Sequence, residues 1–143
     1  MIIRDFQNSD YPEIVKLWQE TGIADEKRGD TREVIEQCLS IGGKLLVMED
    51  DKAGMIIGTS WMTFDGRRIH LHHFCIKPAC QGKGHGSTLT EASLKYIKSK
   101  GAQVKLEVHA GNIIARNLYE KYGFFRFDDY LIYMIRDVKK IPF

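Results

Sequence analysis

Residues 81–86 read Gln81-Gly82-Lys83-Gly84-His85-Gly86, a glycine-rich loop between a predicted strand and a predicted helix. Glycine at alternate positions lets the backbone curl and bring its N–H groups close to an anion. The helix that follows adds its positive dipole end and its unpaired N–H groups. This chemistry suits a phosphate or a pyrophosphate, although a plain strand-to-helix turn would need similar glycines.

Two common nucleotide-binding loops do not match this stretch. A dinucleotide fingerprint spaced G-x-G-x-x-G from Gly82 needs a glycine where Ser87 stands. A Walker A loop ends in Gly-Lys followed by Ser or Thr, and that ending is absent. The pattern that fits is Q-x-x-G-x-G, which follows a strand ending at Ile76-Lys77-Pro78.

A second block lies downstream, between Leu106 and Phe124. From Asn112 onward it matches the spacing N-x-x-A-x-x-L-Y-x-x-x-G-F at every specified position. The loop and this block, in this order and at this separation, resemble the GNAT N-acetyltransferase superfamily. The resemblance covers about the last half of the chain, and the first half agrees in element order only.

The resemblance implies that acetyl-CoA binds as co-substrate. Its pantetheine arm would pair with the strand before the loop, the loop would hold the pyrophosphate, and Asn112 would contact the cofactor arm. Asn112 is also an ordinary N-cap residue, and both roles can coexist. The implied cofactor-binding residues are Phe74, Cys75, Ile76, Gln81, Gly82, Lys83, Gly84, His85, Gly86, Ser87, Asn112 and Tyr119.

Tyr119 matches the position of the acid tyrosine in this family. It stands seven residues after Asn112, on the same face of a predicted helix. Its reference pKa of about 10 exceeds the value of about 8.5 for a thiol, so full proton transfer is not clearly downhill. We therefore expect a hydrogen bond to the leaving thiolate. The alternative is a core aromatic whose hydroxyl is satisfied.

The base has several candidates. An amine with a pKa of about 10.4 must lose a proton, which costs about 4–5 kcal/mol at neutral pH. His70 and His72 face the same side of a strand and resemble the paired histidines of arylalkylamine N-acetyltransferases. Glu107 is the rival, because its Leu-Glu-Val run is similar to ribosomal-protein N-terminal acetyltransferases. A base supplied by solvent is the third option. A backbone N–H on the cofactor strand would stabilise the oxyanion.

The cluster His70, His72 and His73 also invites a zinc interpretation. No third ligand of matching spacing accompanies the two histidines that share a face, and structural zinc more often uses Cys and His sets. We therefore predict no metal site.

The hydrophobic pattern predicts the element order βααβββαβαββ. The last two strands are predicted over Phe124–Phe127 and Leu131–Arg136, around a turn at Asp128-Asp129. Asp10 and Asp30, each followed three residues later by a glutamate, are predicted helix N-caps. The prediction is a single GNAT-like α/β domain over residues 1–143, with a mixed, mostly antiparallel sheet of about six or seven strands flanked by about four helices.

Composition excludes several classes of function. The 143 residues include 21 basic and 19 acidic side chains, a balance too even for nucleic-acid binding by bulk charge. No apolar run suits a membrane span, and the N-terminus lacks the layout of a signal peptide. The three cysteines are an odd number, so we expect reduced thiols and a cytoplasmic location.

The predicted function is direct transfer of an acetyl group from acetyl-CoA to a primary amine of a small molecule. The alternatives are a protein or peptide N-terminal acetyltransferase and a CoA-binding regulatory domain without catalysis. The family analogy also allows a homodimer. It places the acceptor between the segments Thr21–Thr31 and Phe127–Leu131. Acidic residues there could attract a cationic amine: Asp25, Glu26, Asp128 and Asp129.

Overall fold

One five-stranded sheet and four helices make up the regular structure of residues 1–24 and 28–143, the parts of the chain that this computed structural model describes. The strands are β1 (Ile2–Asp5), β2 (Lys44–Asp50), β3 (Met55–Phe64), β4 (Arg68–Ile76) and β5 (Gln103–Leu106). The helices are α1 (Tyr11–Glu20), α2 (Arg32–Ser40), α3 (His85–Lys100) and α4 (Ile113–Lys121). Strand order in the sheet follows chain order, with β1 to β4 antiparallel and β5 parallel to β4. The predicted fold class is confirmed.

The sheet separates two apolar cores. On the α1/α2 face, Trp18 and Ile35 pack against strand side chains that include Trp61 and Cys75. On the α3/α4 face, the buried cluster contains Leu46, Met48, Ile57, Met62, Ile69, Leu71, Ile76, Leu89, Ile97 and Tyr119. Both faces of the sheet are covered, which explains why β2 and β3 have long buried runs and not strict alternation.

The chain after Phe124 differs from the prediction of two closing strands. Residues 124–137 form no strand, so the sheet of the described residues has five strands and not about six or seven. Phe124 packs edge-on against Tyr119, whereas Phe125 and Tyr133 are exposed. A strand forms only where a second strand completes its hydrogen bonds, and the edge strand β5 is only four residues long.

The two predicted helix caps are used differently. Asp10 is the N-cap residue of α1, as predicted, but its carboxylate accepts hydrogen bonds from the Arg4 guanidinium at 2.8 and 2.9 Å and from the Gln7 N–H at 2.8 Å. It makes no capping bond to α1. The N-cap of α2 is Thr31, whose hydroxyl accepts from the helix backbone at 3.3 Å. Asp30 is therefore available for another contact.

Asp10→Asn is expected to lower the free energy of unfolding at neutral pH by about 2 kcal/mol, because it removes a charged hydrogen-bond partner from a nearly buried site. Burial raises the pKa of Asp10, but the hydrogen bonds from Arg4 and Gln7 outweigh burial and hold the pKa below its usual value. This contribution is present above the unfolded pKa and is lost as the pH falls through the folded pKa. Urea denaturation at falling pH should therefore show the variant approaching the unsubstituted protein.

A suitable control is Asp5→Asn, which removes an exposed partner of Lys44. We expect it to change stability by about 0.5 kcal/mol or less at neutral pH. If Asp10→Asn lowers the free energy of unfolding as little as Asp5→Asn does, the contacts of Asp10 do not stabilise the fold as we predict.

Candidate active site

The sheet opens between β4 and β5. Their pairing runs from Arg68↔Gln103 to Leu71↔Leu106 and stops there, because β5 ends. β4 continues to Ile76 and stays paired with β3 on its other edge. The backbone of residues 72–76 therefore faces no strand of the described chain on its β5 side. An extended molecule can add to such an edge through main-chain hydrogen bonds. The predicted cofactor residues Phe74, Cys75 and Ile76 lie on this edge.

The glycine loop joins this edge to α3. The side-chain amide of Gln81 donates to the Ile76 carbonyl at 2.9 Å, which ties the loop to the end of β4. Gly82 and Gly84 have φ angles of +74° and +85°, a left-handed backbone that favours glycine. Gly84 caps α3 without a side-chain hydrogen bond, so the first N–H groups of this 16-residue helix are left for a ligand. This arrangement fits a pyrophosphate.

The other predicted loop residues border the same helix start. Lys83 is exposed and its ammonium donates to the Ala79 carbonyl at 3.3 Å. His85 is the first residue of α3, and Ser87 lies one turn in, next to the Lys121 ammonium at 3.5 Å. Gly86 faces α4, where an added Cβ would lie 3.4 Å from Leu118. The loop supplies backbone amides and Lys83, and α4 supplies Lys121, at the N-terminal end of α3, where an anion is favoured.

Asn112 begins α4 as its N-cap. Its side-chain oxygen accepts from the Ala115 N–H at 3.2 Å, which is an ordinary structural role. The side chain is exposed, so its NH₂ group is available to a ligand. A contact between Asn112 and the cofactor arm remains a prediction.

Tyr119 lies on the buried side of α4, next to the open edge of β4. Its ring packs edge-on against Phe74, with centroids 5.9 Å apart, and against Phe124 at 5.6 Å. The hydroxyl has no hydrogen-bond partner in the described part of the chain. No described side chain leaves a fully buried polar atom unpaired, so this hydroxyl reaches accessible space. Burial, together with the nearby Cys75 thiol, raises the pKa of Tyr119 to about 12, which keeps the hydroxyl protonated at neutral pH.

Tyr122, on the same helix, has a different environment. Its hydroxyl donates to a Glu91 carboxylate oxygen at 2.7 Å, so it joins α4 to α3. The contact gives Tyr122 a structural role.

A β-bulge in β4 brings the histidines together. His73 and Phe74 both lie opposite Ser60 of β3, and His73 has a φ of +47°, unusual for a residue other than glycine. The bulge shifts the alternation, so His72 and His73 share the α1/α2 face and their Nδ1 atoms are 2.9 Å apart. The His72 ring also lies 5.3 Å from the ring of His70. Sequence alternation had predicted only His70 and His72 on one face.

Asp30 completes this cluster. Its carboxylate oxygen is 2.8 Å from Nε2 of His73, in the segment between α1 and α2. Neither the bulge nor this contact was predicted from the sequence, where Asp30 resembled a helix cap. The only sequence signal was the presence of three histidines within four residues. Strand alternation alone could not predict that two adjacent histidines share one face of the sheet.

Two tryptophan rings pack against the histidine cluster. The Trp18 ring lies 4.5 Å from the His73 ring, and the Trp61 ring lies 4.6 Å from the His72 ring. Burial, with the neighbouring histidines, lowers the pKa of His72 to about 3. Burial also lowers the pKa of His73, although Asp30 acts in the opposite direction. The rings are therefore neutral at physiological pH.

Glu107 lies just past the end of β5 and is exposed. Burial lowers the pKa of His70, and the nearby negative charge of Glu107 acts against that effect. Glu107 therefore lies close enough to His70 to affect its pKa. The geometry is compatible with either Glu107 or the histidines as the base.

Two of the four acidic residues predicted at the acceptor site, Asp128 and Asp129, make no ion pair with the histidines, and Asp128 instead pairs with Arg126. Asp128 and Asp129 are exposed in the irregular segment after α4. Asp25 and Glu26 lie outside the described residues. Across residues 1–24 and 28–143, no three His, Cys, Asp or Glu side chains group as metal ligands, and no helix is long and apolar enough to cross a membrane.

Comparison with known proteins agrees with this geometry. The family described as Acetyltransferase (GNAT) family matches residues 9–124. A mycothiol acetyltransferase of Renibacterium salmoninarum is 34% identical over 100 residues, which cover 65% of this chain and 29% of that protein. The chain therefore spans under a third of the length of that relative. An acetyltransferase of Yersinia enterocolitica is 26% identical over 122 residues, 85% of each chain.

The fold is also found among solved structures. A predicted acetyltransferase from Clostridium acetobutylicum, solved with acetyl-CoA, superposes with a TM-score of 0.76 at 18% identity, covering 93% of this chain and 95% of that one. At this level of identity the likeness shows the fold.

Proposed function

We propose that this chain, which belongs to the acetyltransferase (GNAT) family, moves an acetyl group from acetyl-CoA directly to a primary amine of a small molecule. One observation carries the proposal: the open edge of β4 lies between two separate sets of groups. The glycine loop and Tyr119 are on the α3/α4 face, and His70 and His72 are on the α1/α2 face. Two substrates can therefore approach the same strand from opposite sides.

Different groups of the chain bind acetyl-CoA, stabilise the oxyanion and transfer protons. The N–H groups at the start of α3 bind the pyrophosphate of acetyl-CoA, and the β4 backbone positions its extended arm. A free N–H on that strand stabilises the oxyanion that forms when the amine attacks the thioester. The Tyr119 hydroxyl, which stays protonated, donates a hydrogen bond to the departing thiolate. On the other face, His72 or Glu107 accepts the proton of the amine.

The acceptor class is tested by a panel. Purified protein receives acetyl-CoA with polyamines, arylalkylamines, amino acids, aminoglycosides, compounds related to mycothiol, or N-terminal peptides, and the release of free CoA thiol is followed. Turnover on small amines supports the proposal. Turnover on peptides alone would favour the N-terminal acetyltransferase alternative. Thermal stabilisation by acetyl-CoA without any turnover would favour a regulatory domain.

A comparison of His72→Ala with Glu107→Gln identifies the base. Loss of the true base is expected to lower kcat by about 100-fold near neutral pH, because proton transfer by a positioned group contributes at least that much. The pH–rate profile of that variant should rise with the free-amine fraction, while the other variant keeps the unsubstituted profile. Burial, with the nearby Cys75 thiol, raises the pKa of Tyr119 to about 12, so its ionisation does not shape these profiles near neutral pH. Two variants with unchanged profiles would indicate that solvent takes the proton.

Three described cysteines, Cys38, Cys75 and Cys80, carry free thiols. Free thiols are typical of a reducing compartment, which supports a cytoplasmic location where acetyl-CoA is available.

A further inference from the structure

We propose that Asp30 and His73 are positioning residues that orient His72 and receive the proton that it takes from the acceptor amine. The inference rests on the proposed function, since it concerns the proton that an amine loses on acetylation. It adds two residues that neither the family pattern nor the alternation of β4 indicates.

The contacts form one unbroken chain. Asp30 Oδ2 lies 2.8 Å from His73 Nε2, and His73 Nδ1 lies 2.9 Å from His72 Nδ1. The remaining nitrogen, Nε2 of His72, has no hydrogen-bond partner in the described chain. No polar side-chain atom there is both fully buried and unpaired, so this nitrogen reaches accessible space.

The direction of each hydrogen bond follows from the carboxylate at its end. An ionised Asp30 can only accept, so His73 must carry its proton on Nε2. Neutral His73 then has a bare Nδ1, which accepts from a proton on Nδ1 of His72. His72 is left with a lone pair on Nε2, the atom that reaches accessible space. The carboxylate thus selects the tautomer of an imidazole with which it has no contact.

The bulge that creates this chain is held firmly. The backbone at His73 is in a conformation that costs about 1 kcal/mol or more for a residue other than glycine. The carbonyl of His73 accepts from the Thr59 hydroxyl at 2.8 Å, and that hydroxyl accepts from the Trp18 indole N–H at 2.9 Å. These buried hydrogen bonds support the bulge, which places the two imidazoles side by side.

Proton movement along the chain balances. The acceptor ammonium gives a proton to Nε2 of His72, and the Nδ1 proton of His72 passes to Nδ1 of His73. The Nε2 proton of His73 then passes to Oδ2 of Asp30. Each imidazole ends neutral in its other tautomer, and the partly exposed carboxyl group of Asp30 holds the proton. When the acetylated product leaves, the three transfers run in reverse and Nε2 of His72 gives the proton to water, which restores the starting tautomers. The chain therefore avoids leaving a cation between two tryptophans, where desolvation makes it costly.

Other charged groups near the chain are few among the described residues. His70 faces His72, and Arg28 lies near enough to His73 to disfavour its protonation. Glu107 and Lys105 act on His70 from the β5 side, with opposite effects. Among the described residues, Asp30 is thus the acidic group in direct contact with the buried pair of His72 and His73. Substitution of Asp30 therefore tests the contribution of this carboxylate to the pair.

The first test needs neither a variant nor a substrate. Long-range ¹H–¹⁵N spectra of the labelled protein near neutral pH report which ring nitrogen of each histidine carries the proton. We expect Nδ1–H at His72 and Nε2–H at His73. A His72 that carries its proton on Nε2 would overturn the proposal, whatever the acetyl acceptor is. If the amine panel fails while these tautomers are found, the proposed function is wrong and the orientation of His72 stands.

The second test uses Asp30→Asn with Glu36→Gln as the matched control. Both changes replace one carboxylate with its amide, and Glu36 is an exposed residue of α2 that contacts Asn8 at 2.7 Å. An asparagine N–H can donate to His73 and invert the chain, so His72 would present Nε2–H. We expect kcat for the acceptor amine to fall about 100-fold in Asp30→Asn and to stay unchanged in Glu36→Gln.

The pH dependence of the rate distinguishes a proton-carrying role of Asp30 from a purely structural role. The unsubstituted enzyme should reach a plateau, whereas the Asp30→Asn rate should keep rising toward the amine pKa of about 10. Asp30→Glu, which keeps a carboxylate, should restore much of the plateau. A parallel loss at every pH, with the tautomers unchanged, would overturn the proton-carrying role.

Discussion

Tyr119→Phe is expected to lower kcat by about 100-fold while the dissociation constant for acetyl-CoA changes less than about twofold. The substitution removes only the hydroxyl. The ring keeps its edge-on packing against Phe74 and Phe124, so the core beneath α4 is preserved. A group that interacts with the leaving thiolate acts in the transition state, and its loss appears in kcat.

The effect depends on a hydroxyl that stays protonated. Because burial, with the Cys75 thiol nearby, raises the pKa of Tyr119 to about 12, the hydroxyl can donate throughout the working range of pH. The same shift makes it a weaker acid than a free tyrosine, which favours a donated hydrogen bond over full proton transfer to the thiolate.

Tyr122→Phe is the matched control for this experiment. It removes the hydroxyl of the residue that caps the end of α4, and that hydroxyl donates to Glu91 at 2.7 Å and to the Ser87 carbonyl at 3.4 Å. Its kcat should stay within about twofold of the unsubstituted value. Stopped-flow measurement of thiol release, with acetyl-CoA binding followed by calorimetry, reports both quantities. Equal turnover in Tyr119→Phe and Tyr122→Phe would remove Tyr119 from the mechanism.

Gly84→Val should weaken acetyl-CoA binding by about 100-fold, the second large effect. Gly84 has a φ of +85° and stands as N-cap of α3, where it directs free N–H groups outward. Valine is strained in this left-handed conformation and places its branched side chain where the pyrophosphate is proposed to bind. Loss of the anion-binding geometry at a helix start removes several hydrogen bonds to a charged group at once.

Gly54→Val separates binding from backbone strain. Gly54 has a φ of +62° in the turn between β2 and β3, and an added Cβ there meets no atom within 4 Å, as at Gly84. Both variants should lose about 1–2 kcal/mol of stability, but Gly54→Val should bind acetyl-CoA normally. Equal binding by the two variants would place the pyrophosphate elsewhere.

Much of the fold could be predicted because its signals are local. Ile14, Leu17 and Trp18 recur at helical spacing in α1, and all three are buried. The predicted order βααβββαβα is the order of the elements from β1 to α4 in the structure. The glycine loop and the block from Asn112 also predicted the start of α3 and the cap of α4, because backbone conformation and capping depend on neighbouring residues.

The errors share a cause, which is dependence on distant partners. Alternation predicted strands at Phe124–Phe127 and Leu131–Arg136, but β5 ends at Leu106 and no described strand pairs with these segments. The capping pattern placed the N-cap of α1 correctly at Asp10 but not the contacts of its side chain, and it predicted Asp30 where Thr31 caps α2. Their carboxylates instead contact Arg4 and His73, because buried ion pairs and hydrogen bonds can outweigh a local cap.

The sequence by itself determined the family, the glycine loop and the position of Tyr119 in the second motif, since these depend on residue type and on spacing along the chain. Only the tertiary structure decided which groups meet around β4. Without the bulge, His73 would face away from His72, and Asp30 would be one more acidic residue in a connecting segment. A one-residue shift in strand register reverses the face of every side chain beyond it, and no local pattern reports that shift.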